Sequence, residues 1–528
     1  MNHNKTPEEI FADYERAQSY NTSLDLYETV KKNENFYIGK QWEGVIAPDL
    51  EKPVLNFLKR VVTYFVSMIV TDDVAVSAAP FEDTEENTAS IKLLTDEVER
   101  VIEKTKAKAL GRRILRDGAV DGDGCFYFFF DPDAQTGQDA KGKICLEAVD
   151  NTKILFGNPH IGEVQEQPYL IVVRREMVEQ VRERAKKAGI EGEQNIQADS
   201  ESSYYGEENN PDRNLVTVLT RFWKENGFVH YCECTRDCML TPPTNTGYRL
   251  YPVAWFRWEE VKNSYHGQAA ITGLIPNQIF VNKLWAMAME HQKKMAFPRI
   301  FYDRTIIPEW TNRVGQAIGV SGDPSRAFAT SFKAGDISSQ VLELVDRTIS
   351  YTKEFMGASD AALGNVKADN TSAIIALQKS SSAPLELQRL SFYQFVEDYV
   401  RIIIDMIRAK YGLRFVLTEG ENGEKRRDLF DFSAIPYDAM DVNVDVGSSA
   451  YFSELMQIQT LDNLFSKGII SDAITYLEGI PDAYIRNKNK IIEKLRQQQA
   501  MKQTVMPNAE QLPPMEGGET DDLSTVQM

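Results

Sequence analysis

Pro276-Asn-Gln-Ile-Phe-Val-Asn-Lys-Leu-Trp-Ala-Met-Ala-Met-Glu-His-Gln-Lys-Lys294 is the stretch on which the fold turns. Proline suits the first helical position, where the missing N–H would have no partner inside the helix. At 1.5 Å per residue the stretch makes a helix of roughly 28 Å. Its apolar residues (Ile279, Phe280, Val281, Leu284, Trp285, Met287, Ala288 and Met289) spread over far more than one narrow stripe. Such a helix needs neighbours on several sides.

Before this helix the chain reads as an α+β unit. Helices are expected over 7–32, 54–70 and 85–115, the last with Ile91, Leu94, Val98, Val101 and Ile102 on one face. From Cys125 the pattern becomes β-rich: 126–130 is solidly aromatic, and 144–149, 153–156, 169–174, 215–223, 228–234 and 248–256 follow. A short charged helix fits 176–188, and the polar stretch 189–214 reads as an exposed loop.

After it come a short α/β stretch at 297–334, a helix at 338–356 and a small-residue loop at 357–371. A long helix is expected from Ser372 to Tyr411, kinked at Pro384 and stopped by Gly412. Strands at 413–418 and 441–446 and helices at 451–466, 471–477 and 483–502 complete the order. The tail 503–528 holds three prolines, five acids and no base, and is expected to be disordered.

The chain has 528 residues and a net charge of −19, so a surface that grips nucleic acid through clustered cations is not expected. An apolar share of 42% excludes wholesale disorder. The longest apolar run, about 61–70, is too short for a bilayer, and the first residues lack a signal peptide's apolar stretch. Five cysteines, an odd number, point to a reducing compartment.

Motifs for catalysis fail one by one. Gly137-Gln-Asp-Ala-Lys-Gly-Lys143 nearly spells a phosphate-binding loop, but Ile144 replaces the hydroxyl residue and a strand follows, so a hairpin loop is expected. Asp121-Gly-Asp123-Gly breaks the calcium pattern at Cys125 and reads as a turn. His230, Cys232, Cys234 and Cys238 have zinc-type chemistry, but three of them alternate along one strand, which favours buried thiols and leaves a metal open. No catalytic set emerges from five histidines.

The order of elements resembles the portal proteins of tailed bacteriophages. The resemblance rests on Asn35-Phe-Tyr-Ile-Gly-Lys-Gln-Trp42, Tyr251-Pro-Val-Ala-Trp-Phe256, His266-Gly-Gln268 with Pro276–Lys283, Asn370-Thr-Ser-Ala-Ile-Ile375 and Leu461-Asp-Asn-Leu-Phe-Ser-Lys-Gly-Ile-Ile470. It covers about residues 30–500, and order and spacing carry it rather than any single motif.

The resemblance implies a ring of twelve subunits around a DNA channel at a capsid vertex. Residues 1–260, with return strands in 413–449, would be the wing. Residues 261–295 and 336–356 would be the stem helices, 296–335 the clip between them, 357–371 the tunnel loop, 372–412 the long kinked helix and 450–502 the crown. Phe280, Leu284 and Trp285 would pack the stem, and Arg304, Trp310 and Arg313 would meet partners at the clip, although Trp310 also fits the clip core. Asn365, Lys367 and Asn370 would face the DNA.

The implied partners are the terminase large subunit, a head–tail adaptor or connector, and the major capsid and scaffolding proteins. Double-stranded DNA would pass without sequence recognition. The resemblance implies no enzyme activity, cofactor, metal or membrane, and a place in the virion after assembly in the host cytoplasm. Twelve copies would carry roughly −230 charges, and an acidic lumen would keep DNA from sticking. Two other readings stand beside this one: a nucleotide-using DNA-processing enzyme built around 137–143, and a non-ring virion adaptor.

Overall fold

The computed structural model describes residues 5–48, 50–70, 74–80, 85–138, 140–190, 192–199, 214–296, 299–310, 319–326, 329–332, 339–355, 383–419, 425–435, 440–446, 460–470, 472–480 and a few positions between 458 and 496. The chain divides into two compact units, Met1–Val446 and Gly447–Met528.

Helix α1 (Pro7–Ser23) starts on a reciprocal cap. Glu9 N donates to Thr6 Oγ1 (3.4 Å) and Thr6 N donates to Glu9 Oε2 (3.0 Å), which satisfies two otherwise unpartnered N–H groups. The helix expected over 7–32 is in fact two, because Asp25 adopts φ 50° and α2 (Leu26–Ile38) starts afresh. Left-handed backbone cannot continue a right-handed helix. After α3 (Phe57–Ile69) and β1 (Val74–Pro80), Lys106 at φ 56° makes the same division between α4 (Glu85–Lys104) and α5 (Ala107–Asp121).

Two antiparallel sheets follow. One has the order β3 (Lys143–Val149), β2 (Asp123–Asp131), β9 (Val253–Arg257). The other runs β4 (Ile154–Phe156), β5 (Tyr169–Met177), β6 (Leu215–Glu225), β7 (Phe228–Cys234), β8 (Met239–Asn245). Strand β8 contains Pro242 and Pro243 and lies at the sheet's edge, where a missing N–H breaks no ladder. Helix α6 (Val178–Lys187) covers one end. Part of the expected 189–214 loop is fixed: Ile196 is buried, its carbonyl accepts from Arg182, and Asp199 pairs with Arg175.

Helix α7 (Ile275–Ala296) leads into a two-stranded antiparallel pair, β10 (Arg299–Tyr302) with β11 (Ala329–Phe332), and then into α8 (Ser339–Phe355). Residues 372–382 of the expected long helix lie outside the described residues. Pro384 sits in a 3-10 turn, Ala383–Leu385, directly before α9 (Glu386–Lys410), and Gly412 at φ 55° ends that helix. Phe392, Phe395 and Tyr399 of α9 are buried against Phe126, Phe128 and Phe256, with ring centroids 5.1 Å apart for Phe126–Phe395. These aromatic contacts hold the long helix on the three-stranded sheet.

The chain then forms the hairpin β12 (Leu413–Glu419)–β13 (Lys425–Asp431) and returns as β14 (Met440–Val446) to pair antiparallel with β1, Val74 opposite Val446. In the second unit, residues 460–466 are helical and α10 (Ala473–Glu478) is capped by Asp472, which accepts from Ile474 N and Thr475 N. The tail 503–528 lies outside the described residues. The class is α+β.

Candidate functional site

Helix α7 is the element the sequence singles out, and a polar lock fixes its base. Asn282 Nδ2 donates to Gln41 Oε1 (2.6 Å), Gln278 Nε2 donates to Leu55 O (2.7 Å), and Leu55 N donates to Asn282 Oδ1 (3.3 Å). Gln41, Gln278 and Asn282 are all buried, so each of these bonds replaces water that the fold has removed. Asn56 Nδ2 donates to Tyr37 O (2.9 Å) and Trp42 Nε1 to Pro53 O (2.8 Å), which hold residues 37–42 and 53–56 in the shape that receives the helix. Two quoted stretches, 35–42 and 276–283, thus meet across 241 positions.

The loop before α7 is fixed just as firmly. Gly267 N donates to Asp123 Oδ1 (2.7 Å), and His266 sits with Nδ1 2.7 Å from Asp123 Oδ2 and Nε2 3.1 Å from Asn21 Oδ1. Asp123, the first residue of β2, is therefore spent on protein contacts.

Helix α7 also runs beside α8, and in its first turn Asn277 Nδ2 donates to Thr352 Oγ1 (3.1 Å). Val281 and Val345 are buried with Phe36, Phe57 and Leu58, and Leu284, Trp285 and Ile349 pack half-buried against them. Phe280 is 43% exposed, Met287 63%, Leu344 46% and Tyr351 55%. Of the three stem residues named from sequence, Phe280 alone is exposed; Leu284 and Trp285 already serve the chain's own core. Lys293 donates to Glu51 (2.8 Å), and that bond holds the Glu51 carboxyl below the usual carboxylate range.

In the insert between the helices, Arg304 is exposed and Trp310 is half-buried, stacked on Tyr302 with centroids 5.4 Å apart. Arg313 lies outside the described residues. So do Asn365, Lys367 and Asn370, with the whole stretch 357–371.

The other sequence candidates resolve by packing. Residues 132–138 and 140–142 lie in the β2–β3 hairpin loop, with no helix after it. Gly142 N donates to Ala134 O (2.8 Å), and a Cβ on Gly142 would lie 2.3 Å from the Phe130 ring. Gln138 exchanges two bonds with the backbone of Phe415, at 3.0 and 3.1 Å, which ties the hairpin to β12. Cys232 and Cys234 are buried in one apolar cluster and Cys238 in another. Burial pushes the Cys232 thiol up to about 11. Among the described residues no group of His, Cys, Asp and Glu side chains is placed to hold a metal, and no helix is long and apolar enough to cross a membrane.

The lock residues Gln41, Gln278 and Asn282 were not singled out from sequence. Their signal was present: amides at i and i+4 on a mostly apolar helix imply buried partners. No family model matches the chain, and no curated protein matches it.

Proposed function

We propose that the chain is the subunit of a portal-type ring: a closed oligomer, of about twelve copies, through which double-stranded DNA is packaged and released. One observation carries the reading. Two adjacent helices, α7 and α8, bracket a small β module and stand on an α+β unit, with large apolar side chains left exposed along both helices. A monomer gains nothing from exposing Phe280, Met287, Leu344 and Tyr351 on one helix pair, whereas heterologous contacts repeated around an axis would cover them. The paired return strand β14 supports the reading too, since it ties the chain beyond α9 to the unit that carries the stem.

In this reading the ring is a conduit and a docking platform in the virion, without chemistry of its own. The terminase and the head–tail adaptor would meet it at the β10–β11 module, with Arg304 and Glu309 exposed there. Electron microscopy of the negatively stained full-length protein tests the proposal. Rings with a central hole are expected; single compact particles at every concentration would refute it.

A further inference from the structure

A second site lies at the seam between α4, the β2–β3 hairpin and β12. A cavity of about 430 Å³ opens there, within the size range of small-ligand pockets. Arg100, Lys104, Lys143 and Arg414 line it, against one carboxylate, Glu97. Arg100 donates to Glu97 (2.7 Å), and Lys104 and Arg414 lie within electrostatic reach of the same carboxylate. Lys104 and Lys143 form no ion pair among the described residues, although Asp131 lies directly across the β2–β3 ladder from Lys143. Four cations against one carboxylate leave an excess of three positive charges on one concavity in a chain whose net charge is −19. Unmatched like charges around a cavity repel one another and are relieved by a bound anion.

Arg414 is preorganised. It is 6% exposed, donates through its Nη2 to Gly142 O (2.8 Å) and Lys141 O (3.2 Å), and stacks over Tyr411 at 3.7 Å. Those carbonyls fix the guanidinium without neutralising it. Val101, Ile144 and Phe415 supply apolar wall.

We propose that this cavity binds the phosphate group of a small phosphorylated molecule, with Lys104, Lys143 and Arg414 as its cationic contacts. Cations reaching in from three elements suit a tetrahedral polyanion better than a planar carboxylate, which pairs best with one guanidinium face. The glycine-rich hairpin would serve through Lys143, since the Gly142 N–H is already spent on Ala134. A bound ligand would also tie β12 to α4 and so strengthen the seam.

The test is calorimetric titration of the full-length protein with sodium pyrophosphate, beside sodium citrate and sodium chloride at equal ionic strength. Saturable pyrophosphate binding is expected, weakened at least about tenfold in the double variant Lys104→Met/Lys143→Met. Both lysines are exposed, so the double variant should melt no lower than the parent without ligand. The single variant Lys143→Met should show an intermediate loss. Unchanged binding in these variants, non-saturable heats, or citrate binding tighter than pyrophosphate would overturn the proposal.

Discussion

The Asn282 side chain bonds three groups at the base of α7: the buried Gln41 amide, the buried Gln278 amide and the part-buried Leu55 N–H. Replacing it with leucine keeps the bulk and removes every bond, leaving buried donors and acceptors bare. We expect Asn282→Leu to cost roughly 2–3 kcal/mol, read as a lower melting temperature of the full-length protein. Asp121 presents the opposite case. Its Oδ1 is buried with no hydrogen-bond partner, and burial, then the neighbouring Asp117, raise its carboxyl well above the ordinary value. A carboxyl raised by folding favours the fold only while protonated, so its contribution is present below about pH 4 and is lost as pH rises through the raised value. Asp121→Asn should therefore raise the melting temperature at about pH 7, by roughly 1 kcal/mol of stability, and leave it nearly unchanged at about pH 4. An equal gain at both pH values would contradict that assignment. Neither contact was legible in the sequence. Composition marks α7 as apolar all round, but it cannot say that Gln41 would be waiting for Asn282, nor that Trp285 turns to the chain's own core while Phe280 does not.

At the scale of elements, the Gln138–Phe415 exchange clamps β12 onto the β2–β3 hairpin from the far side of the chain. Gln138→Ala should speed hydrogen exchange in 413–419 by about fivefold, as expected for two lost bonds worth roughly 1 kcal/mol net, and leave the five-stranded sheet unchanged. Equal acceleration in both places would mean global destabilisation instead. Most of the helices were readable from their own period, and strand β2 from its unbroken aromatic run. What escaped was decided elsewhere. Helices 7–32 and 85–115 each broke at one residue in left-handed backbone, Asp25 and Lys106, which periodicity cannot see. Strand β1 depends on a partner more than 350 residues away, β13 carries Lys425, Arg426, Arg427 and Asp428, and the prolines of β8 are tolerable only because that strand became an edge. The loop meant to face DNA and part of the expected clip fall outside the described residues, so the candidate site rests on α7, α8 and the β10–β11 pair.

For the whole molecule, the question is what covers the apolar side chains exposed on α7 and α8. A net charge of −19 per chain opposes association at long range, so any ring must be held by short-range apolar contact. Phe280 is well placed for that contact, being exposed on a helix whose base is locked. Phe280→Asp should abolish assembly while leaving the melting of the α+β unit within about 1 kcal/mol, because an exposed side chain contributes little to its own fold. The mass of the full-length protein at micromolar concentration tests the central claim most directly. The account predicts a closed species near twelve copies of the 59.9 kDa chain, ~719 kDa, collapsing to single chains in Phe280→Asp. A stable 59.9 kDa monomer for the unaltered protein would contradict it.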